Sequence, residues 1–381
     1  MPKRVHLAYI GAILLDKIYS LQKLPSSGEG VVVEESITRA GGCAYNSAVI
    51  AQACGAEVSL LAPLGSGQAA QELESLLEAY GVDAWRVASE DDNGTCMCLV
   101  EPSGERSMIT VPGIERNLNA SWYEDIPDTQ IALWDALAVS GYELAGASGG
   151  VLEDFLDRVR AVNPACAFWF APGPSCEEIS RDTYEHMAAL RSFWHMNGLE
   201  SEKIAEFLEL TTQEVSAEDI AAVRACEGAG DLGGLHFGTN ATAQESFLQH
   251  CCALASFAGK DIVITAGSAG AYSISRNKAG CQVLFVASKA VRVLDTIGAG
   301  DAHLGALMVA HASNSASRNS LEKRASVLEG LKHQDECPVE KPQLEFANQW
   351  AAEVCQSYGS LPSYDSLQAL AKSLCYGMSK A

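Results

Sequence analysis

The sequence has 381 residues, of which 48% are hydrophobic, so the chain is long enough to bury a large core. Its formal net charge is -22 at pH 7. This charge argues against a protein that binds nucleic acid or an anionic membrane surface, because both partners require a basic surface. An enzyme that handles phosphate can still be acidic overall, because its site needs positive potential only locally and can gain it from a metal ion.

The thirteen cysteines are scattered, with no Cys-x-x-Cys pair and no spacing typical of zinc sites. We expect reduced, mostly buried thiols in a cytoplasmic protein rather than a disulfide framework. The apolar run after Lys3 and Arg4 is similar to a signal peptide, but His6 interrupts it and no cleavage site follows. No apolar stretch is long enough to cross a bilayer. A peroxisome-like organelle is the alternative location, because the tail Ser379-Lys380-Ala381 differs by one residue from the peroxisomal targeting signal Ser-Lys-Leu.

The first part of the chain alternates between strand-like and helix-like segments. Strands are predicted at Val5–Leu15, Val31–Ile37 and Val58–Leu64, and helices at Gly41–Cys54 and Gln68–Tyr80. Such alternation predicts a parallel sheet covered by helices. Two further β segments, Thr95–Val100 and Ser107–Val111, flank a turn and lack the spacing of βαβ units. With the second strand they are expected to form a small separate sheet.

Polar or glycine-rich residues directly follow four later strands. The predicted strands are Ile131–Ser140, Cys166–Ala171, Phe193–Met196 and Asp261–Thr265. The residues that follow them are Gly141-Tyr142-Glu143, Pro172-Gly173-Pro174, Asn197 and Gly267. Open α/β sheets bind ligands in the crevice outside the carboxyl ends of their strands, so these residues predict a binding crevice.

The segment that best indicates chemistry runs from Asp295 to Asp301 with the sequence Asp-Thr-Ile-Gly-Ala-Gly-Asp. A predicted buried strand, Val291–Leu294, precedes it, and a predicted buried helix, Ala302–Ala310, follows it. Glycines let the backbone approach an anion, and the free N–H groups of a helix N-terminus attract negative charge. Asp301 could then accept the proton of a hydroxyl group that attacks phosphorus.

The alternative interpretation of this segment is a structural turn before an N-capped helix. The chain contains a similar segment, Gly228-Ala229-Gly230-Asp231, which with Gly233 satisfies a dinucleotide-binding pattern. That copy follows a polar, helix-like run instead of a strand, so we interpret it as a surface loop. An oxidoreductase that uses it is therefore disfavoured.

The Asp-Thr-x-Gly-Ala-Gly-Asp pattern before an apolar helix resembles the C-terminal signature of the ribokinase (pfkB) family of carbohydrate kinases. Further matches extend the resemblance over nearly the whole chain. It implies an α/β fold: one ribokinase-like three-layer α/β/α domain over residues 1–381, with a mostly parallel central sheet and a small β-sheet lid. The lid would be formed by residues from about 12–38 and 94–112. Residues from about 313–343 depart from the family pattern and are expected to form a mobile surface insertion.

The resemblance implies a role for individual residues. Asp301 would be the general base, and the backbone N–H groups of Gly298, Ala299 and Gly300 would hold the transferred phosphoryl group. The residues expected to bind the acceptor are Asp16, Gly42, Asn46 and Glu143. Those expected to bind ATP are Asn197, Thr265, Gly267, Gly270 and Asn348. Glu200 would hold Mg²⁺ through water. A K⁺ site would be formed by the carbonyl groups of Asp295 and Ile297 together with Gly359 and Ser363.

Several of these residues also have a structural interpretation. Asn197 and Glu200 could cap a helix, Asp16 could end a strand, and Thr265–Gly270 could be an ordinary glycine turn. His303, two residues after the proposed base, is interpreted as a packed histidine.

Two residues depart from ribokinase itself, because Leu14 and Cys43 stand where ribokinase has Asn and Lys. Both changes remove polar groups from the sugar pocket and favour a nucleoside or a less polar sugar over ribose. The leading hypothesis is an ATP-dependent phosphotransferase that phosphorylates a hydroxymethyl group of a sugar or nucleoside and uses Mg²⁺. The alternatives are a nucleoside or pseudouridine kinase of the same family and, in another class, a non-catalytic binding or regulatory protein. A homodimer through the lid is expected from the resemblance.

Overall fold

The computed structural model describes residues 4–102, 106–146, 148–210, 241–277, 280–325 and 338–378, and strands alternate with helices along most of them. The strands are β1 His6–Ile10, β2 Leu14–Ser20, β3 Glu35–Gly41, β4 Glu57–Leu61, β5 Pro63–Leu64, β6 Trp85–Arg86, β7 Thr95–Val100, β8 Arg106–Val111, β9 Ala136–Ser140, β10 Ala167–Ala171, β11 Phe193–Asn197, β12 Ile262–Thr265, β13 Gly270–Asn277 and β14 Gly280–Ala287. The helices are α1 Cys43–Ala53, α2 Gln68–Tyr80, α3 Ala120–Glu124, α4 Asp128–Ile131, α5 Gly141–Leu144, α6 Gly149–Val162, α7 Arg181–Ala189, α8 Gly198–Phe207, α9 Ala241–Ala258, α10 Ala299–Ala325, α11 Lys341–Val354 and α12 Tyr364–Met378.

Eight strands form the central sheet in the order β14-β13-β12-β11-β10-β9-β1-β4. The six strands from β4 to β12 pair in parallel, and β13 and β14 add an antiparallel edge. Next to the edge strand β4, Tyr9 of β1 lies between Leu60 of β4 and Ala138 of β9. Parallel strands need crossover connections, which here are helices, as the alternating pattern of the sequence predicts.

Both faces of the central sheet are buried by helices. Leu7 and Tyr9 of β1 belong to one hydrophobic core with α1, α2, α10, α11 and α12. Their neighbours Ala8 and Ile10 belong to a second core with α6, α7, α8 and α9. Successive side chains of a strand point to opposite faces, so the sheet lies between two helical layers. This arrangement confirms the predicted three-layer α/β/α fold with a mostly parallel sheet.

A second sheet, hereafter the small sheet, has four strands in the order β3-β2-β7-β8. Its strands β7 and β8 confirm the two predicted β segments without βαβ spacing. Cys96 and Cys98 lie on one face of β7 and are both buried. The predicted strand Val31–Ile37 is shifted, because β3 begins at Glu35 and residues 31–33 are irregular and partly exposed.

The predicted strand Val5–Leu15 is wrong as one element, because it is two strands in two sheets. The chain leaves the central sheet after Ile10 and enters the small sheet at Leu14. Gly11 lies at this break, where a Cβ atom would be 2.7 Å from the Cβ of Ala44. From Leu7 to Leu15 the run is apolar apart from Gly11, and a single glycine does not by itself indicate a change of sheet. Asp16 therefore lies inside β2 and does not end a strand.

The predicted strand Val291–Leu294 is also wrong. These residues are irregular, and Val293 and Leu294 are 51% and 38% exposed. The helix after the glycine turn begins at Ala299 and extends to Ala325. It thus continues beyond the predicted end at Ala310 and into the predicted insertion.

The expected insertion of about 313–343 is bounded by regular structure, because α10 includes residues 313–325 and α11 begins at Lys341. The remainder of that segment from 326 to 337, the Gly228–Asp231 copy and the Ser379–Ala381 tail lie outside the described residues. No helix in the described ranges combines the length and the apolar character needed to cross a membrane.

One disulfide bond joins Cys252 of α9 to Cys281 of β14. The expectation that all thiols are reduced is therefore wrong for this pair. Eight further cysteines of the described chain are free, and five of them are buried. Their scatter through the fold agrees with the absence of a disulfide framework.

Candidate active site

A cavity of about 140 Å³ lies at the carboxyl ends of the central strands. Its wall includes five of the residues proposed from the sequence, namely Asn197, Glu200, Thr265, Gly300 and Asp301. Residues from the ends of β1, β9, β10, β11 and β12 complete the wall together with parts of α1 and α10. The polar residues that follow the strands therefore converge at one edge of the sheet, as predicted from their positions in the sequence.

Asp301 lies in the first turn of α10 and is held by three side chains of α1. The Nδ2 of Asn46 donates a hydrogen bond of 2.8 Å to its carboxylate, and the hydroxyl of Ser47 donates one of 3.0 Å to its carbonyl oxygen. The thiol of Cys43 also hydrogen-bonds to the carboxylate. Burial raises the pKa of Asp301, although the Asn46 and Cys43 hydrogen bonds oppose this. A raised pKa makes the carboxylate a stronger proton acceptor.

The turn before Asp301 requires glycine at position 298. Gly298 has a φ angle of +76°, and a Cβ atom there would lie 2.3 Å from the carbonyl oxygen of Ser360. Within the described chain the backbone N–H groups of Gly298 and Gly300 have no protein acceptor, whereas that of Ala299 donates to Thr296 at 3.3 Å. Free N–H groups at a helix start bind anions. The expected anion site is thus open at Gly298 and Gly300 and partly engaged at Ala299.

Asp295 anchors the same turn through its buried carboxylate. One oxygen accepts the N–H of Ile297 at 2.8 Å, and the other accepts the N–H of Gly359 at 2.6 Å. Nη1 of Arg106, from the small sheet, lies 2.6 Å from the first oxygen. Burial alone would raise the pKa of Asp295, but the Arg106 and backbone hydrogen bonds outweigh it and hold that pKa below its usual value. The carboxylate is therefore ionised and fully engaged.

Asn197 and Glu200 form a capping box at the start of α8. The Oδ1 of Asn197 accepts the N–H of Glu200 at 2.8 Å, and a carboxylate oxygen of Glu200 accepts the N–H of Asn197 at 2.9 Å. Both side chains also line the cavity. The two residues therefore have the helix-capping role of the structural interpretation and at the same time face the cavity.

Glu200 is suited to an indirect metal role. Burial raises its pKa, the backbone N–H of Asn197 lowers it and the charge of Asp301 raises it further. The described residues contain no group of three His, Cys, Asp or Glu side chains that could hold a metal ion. Mg²⁺ usually keeps several waters and binds one or two carboxylates together with substrate phosphates, so the Glu200 carboxylate on the cavity wall fits this ion.

None of the four residues predicted to bind the acceptor lines the cavity wall, but Asn46 contacts Asp301 and Asp16 lies close enough to feel its charge. Burial and the charge of Asp301 raise the pKa of Asp16 to about 7. Gly42 has a φ angle of +106°, and a Cβ atom there would lie 2.4 Å from the carbonyl oxygen of Ala12. The Oδ1 of Asn46 and the Oε2 of Glu143 are buried without a hydrogen-bond partner among the described residues. Unpaired buried acceptors of this kind suit the hydroxyl groups of a ligand.

The predicted nucleotide loop follows β12. Thr265 reaches the cavity, whereas Gly267 and Gly270 lie outside its wall. Both glycines have positive φ angles, and a Cβ atom on Gly270 would lie 2.0 Å from the carbonyl oxygen of Val286. Asn348 is buried in α11, where its Nδ2 donates to the same carbonyl at 2.9 Å. The structure therefore does not place Asn348 on the cavity wall.

His303 is a packed histidine, as interpreted from the sequence. Its Nδ1 lies 2.9 Å from Nε2 of His195, and both rings are buried. Burial lowers the pKa of both rings, and the second ring lowers that of His195 further. Neither ring contacts Asp301 among the hydrogen bonds of the described chain.

The sequence reasoning placed Cys43 in the acceptor pocket but missed its hydrogen bond to Asp301, and it missed Ser47 and Arg106 altogether. Cys43, Asn46 and Ser47 have the spacing i, i+3 and i+4, which places them on one face of a helix. Because Asn46 was predicted to bind the acceptor, this spacing could have indicated that Cys43 and Ser47 face the same site. Arg106 has no such signal, because its partner Asp295 is distant in the sequence.

Comparisons with known proteins agree with this geometry. The pfkB family carbohydrate kinase profile matches residues 6–226 and 234–366. The Escherichia coli (strain K12) protein described as "Uncharacterized sugar kinase YegV" is 28% identical over 310 residues, which cover 81% of this chain and 83% of that protein.

Two solved structures have the same fold. Ribokinase from Cryptococcus neoformans var. grubii serotype A, in complex with ADP, has a TM-score of 0.60 at 17% identity and covers 97% of this chain and 100% of its own. The Methanocaldococcus jannaschii nucleoside kinase has a TM-score of 0.61 at 16% identity and covers 98% of this chain and 100% of its own. The chain thus belongs to the pfkB family of carbohydrate kinases and has the ribokinase-like fold of that family.

Proposed function

We propose that the protein is an ATP-dependent phosphotransferase that phosphorylates a hydroxymethyl group of a sugar or nucleoside. The observation that supports this most directly is the position of Asp301. Asp301 lies on the wall of the cavity, and Asn46 holds its carboxylate by a hydrogen bond. The free N–H groups of Gly298 and Gly300 lie in the turn directly before it. A proton acceptor beside an anion site is what phosphoryl transfer to an alcohol requires.

In the proposed reaction, the acceptor hydroxyl donates its proton to Asp301 as its oxygen attacks the terminal phosphorus of ATP. The backbone N–H groups of Gly298 and Gly300 stabilise the charge on the transferred group. Asp16, Asn46 and Glu143 would orient the acceptor, and Thr265 and Asn197 would contact the nucleotide. Bound Mg²⁺, held through water by Glu200, would neutralise phosphate charge.

The small sheet would act as a lid that excludes water, which competes with the acceptor hydroxyl. Its strand β2 carries Asp16, and its strand β8 carries Arg106, which pairs with Asp295 of the catalytic turn. The same sheet thus reaches both the acceptor side and the anion side of the proposed site.

A nucleoside or pseudouridine kinase is the second candidate. It is supported by Leu14 and Cys43, which make the acceptor side less polar, and by the nucleoside kinase that shares the fold. A non-catalytic binding protein is the candidate of another class. The intact turn and the contacts of Asp301 argue against it.

The test is ADP production with ATP and Mg²⁺ over a panel of pentoses, hexoses, nucleosides and pseudouridine. We expect turnover with at least one acceptor and a loss of about 10²- to 10⁴-fold in kcat for Asp301→Asn, with nucleotide binding retained. Asp182→Asn is a matched control, because Asp182 is an exposed acidic residue in the first turn of α7. Undiminished turnover by Asp301→Asn would refute the base assignment. A failure to form ADP with every acceptor of the panel would favour the non-catalytic alternative.

We further propose a cytoplasmic homodimer formed through the small sheet. The edge strand β8 exposes Met108, Ile109 and Val111, and exposed apolar edges favour association. Sedimentation velocity should give a dimer for the wild type and a monomer for Ile109→Lys. A monomeric wild-type protein would contradict the proposal.

A further inference from the structure

Ser363, one of the residues expected to contribute to a K⁺ site, does not fit that role. Ser363 is exposed, and its polar atoms serve the start of α12. Its hydroxyl donates to the hydroxyl of Ser366 at 2.9 Å and accepts the N–H of Ser366 at 3.4 Å. Its carbonyl oxygen accepts the N–H of Leu367 at 2.8 Å. This residue is a helix cap, so it is not directed toward the turn at Asp295.

Two arginines of the small sheet already approach the same place. Arg106 of β8 pairs with Asp295, and each carboxylate oxygen of Asp295 also accepts a backbone N–H group. Arg39 of β3 lies against Gly359, where a Cβ atom would meet its Cδ and Nε atoms at 3.3 Å. These strands are the two edges of the small sheet, so each edge brings one guanidinium group to this loop.

Positive charge at this loop disfavours a bound cation. Asp295 is buried, and the side chain of Arg106 is only 16% exposed, so water screens the pair weakly. A K⁺ ion beside them would meet a fixed guanidinium group and a carboxylate whose charge that group already neutralises. The role that a bound cation could have at this turn is therefore filled by a side chain of the protein.

We propose that Arg106 supplies the positive charge behind the anion turn, so that this protein needs no monovalent cation for phosphoryl transfer. Arg106 is a positioning residue, because it acts through Asp295, which in turn holds the N–H of Ile297 directly before Gly298. The charge is borne by the small sheet, so it reaches the turn only when that sheet is in place. The kinetic part of this inference rests on the proposed function.

The kinetic test compares KCl with tetramethylammonium chloride at a constant ionic strength of about 0.1 M. We expect the wild-type kcat to agree within about twofold in the two salts, because Arg106 and not a bound cation supplies the charge at the turn. The effect of either salt on exposed charges elsewhere is small. Arg106→Gln should lower kcat by about tenfold or more, because the turn is misplaced, and Arg106→Lys should restore most of it. The KM for ATP should stay unchanged. Arg86→Gln is the matched control, because Arg86 pairs with Glu74 on the surface.

Either of two kinetic results would overturn the proposal. The first is a wild-type kcat that K⁺ raises by about fivefold or more. The second is a kcat of Arg106→Gln equal to that of the wild type.

A second measurement does not depend on turnover. The wild-type protein should have the same thermal unfolding midpoint in KCl and in tetramethylammonium chloride, because a ligand that binds only the folded state raises that midpoint. A midpoint raised by K⁺ in a saturable manner would show a bound ion and overturn the proposal. Because this result needs no acceptor, failure of the cation proposal is distinguishable from failure of the kinase assignment.

Discussion

Replacement of Asn46 by alanine should change the pH dependence of the proposed kinase more than its stability. Asn46 donates its Nδ2 to the carboxylate of Asp301 at 2.8 Å, and it is one of two side chains that lower the pKa of that carboxylate against the effect of burial. Without this donor the ionised base is less stable. The pKa of Asp301 should therefore rise further above its ordinary value.

The magnitude follows from the type of hydrogen bond. A hydrogen bond to a charged group contributes about 1.5–3 kcal/mol, which corresponds to about 1–2 pH units in the pKa of the base. The base must be ionised, so activity is lost as the pH falls through its pKa. A higher pKa moves this acid limb upward by the same amount of about 1–2 pH units, so kcat/KM should fall by about 10- to 100-fold at a fixed pH that lies below the pKa of the base in both proteins.

The assay is kcat/KM as a function of pH for the wild type and Asn46→Ala, with the acceptor identified by the panel. Ser47→Ala is the matched control, because Ser47 lies on the same helix and bonds to the carbonyl oxygen of Asp301 instead of its carboxylate. Its acid limb should stay where the wild type has it. An acid limb of Asn46→Ala within about 0.3 pH unit of the wild type would refute the reasoning.

Two further substitutions and the reduction of a disulfide bond test other parts of the structure. Burial raises the pKa of Glu143 from 4.5 to about 7, so the folded state loses stability as the pH rises through this range. Glu143→Gln should therefore raise the free energy of unfolding by up to about 3 kcal/mol at pH 8 and by much less at pH 5, as measured with urea. Gly298→Ala should lower the free energy of unfolding by more than about 2 kcal/mol and abolish turnover, because of its φ angle of +76° and the contact with Ser360. Reduction of the Cys252–Cys281 bond, which closes a loop with a sequence separation of 29, should cost about 3–4 kcal/mol in thermal or urea unfolding.

Each of these predictions has a control. A gain for Glu143→Gln that is equal at both pH values would show that packing, and not ionisation, is responsible. Gly300→Ala should keep wild-type stability, because no atom lies within 4 Å of a Cβ placed there. Cys281→Ser should make the stability insensitive to dithiothreitol, and a wild-type protein that is already insensitive would indicate that the two thiols are reduced in solution.

Local signals predicted some elements of this fold well. Helix α2 has the predicted ends, because an amphipathic pattern runs from Gln68 to Tyr80 and Gly81 then adopts the left-handed conformation that ends a helix. By contrast, Val291–Leu294 has the composition of a strand but is irregular, since composition does not reveal whether a neighbouring strand is available.

Some features of the candidate site could likewise be predicted from the sequence, and others could not. The glycine turn with Asp301 is a contiguous motif and could be found in the sequence. The contact of Arg106 with Asp295 could not, because it depends on how the small sheet lies over the turn. Asn348 shows a further limit, since its position could be matched but the direction of its side chain, toward Val286, could not.

The hydrogen bond between Asn46 and Asp301 joins residues that are 255 positions apart. The pKa of the proposed base thus depends on helix α1, which is synthesised long before Asp301. No N-terminal portion of the chain can display the competent arrangement, and loop closure over such a separation makes this contact costly to form early. Catalytic competence should therefore be among the last properties to appear during biosynthesis, which would protect cellular ATP from incomplete chains.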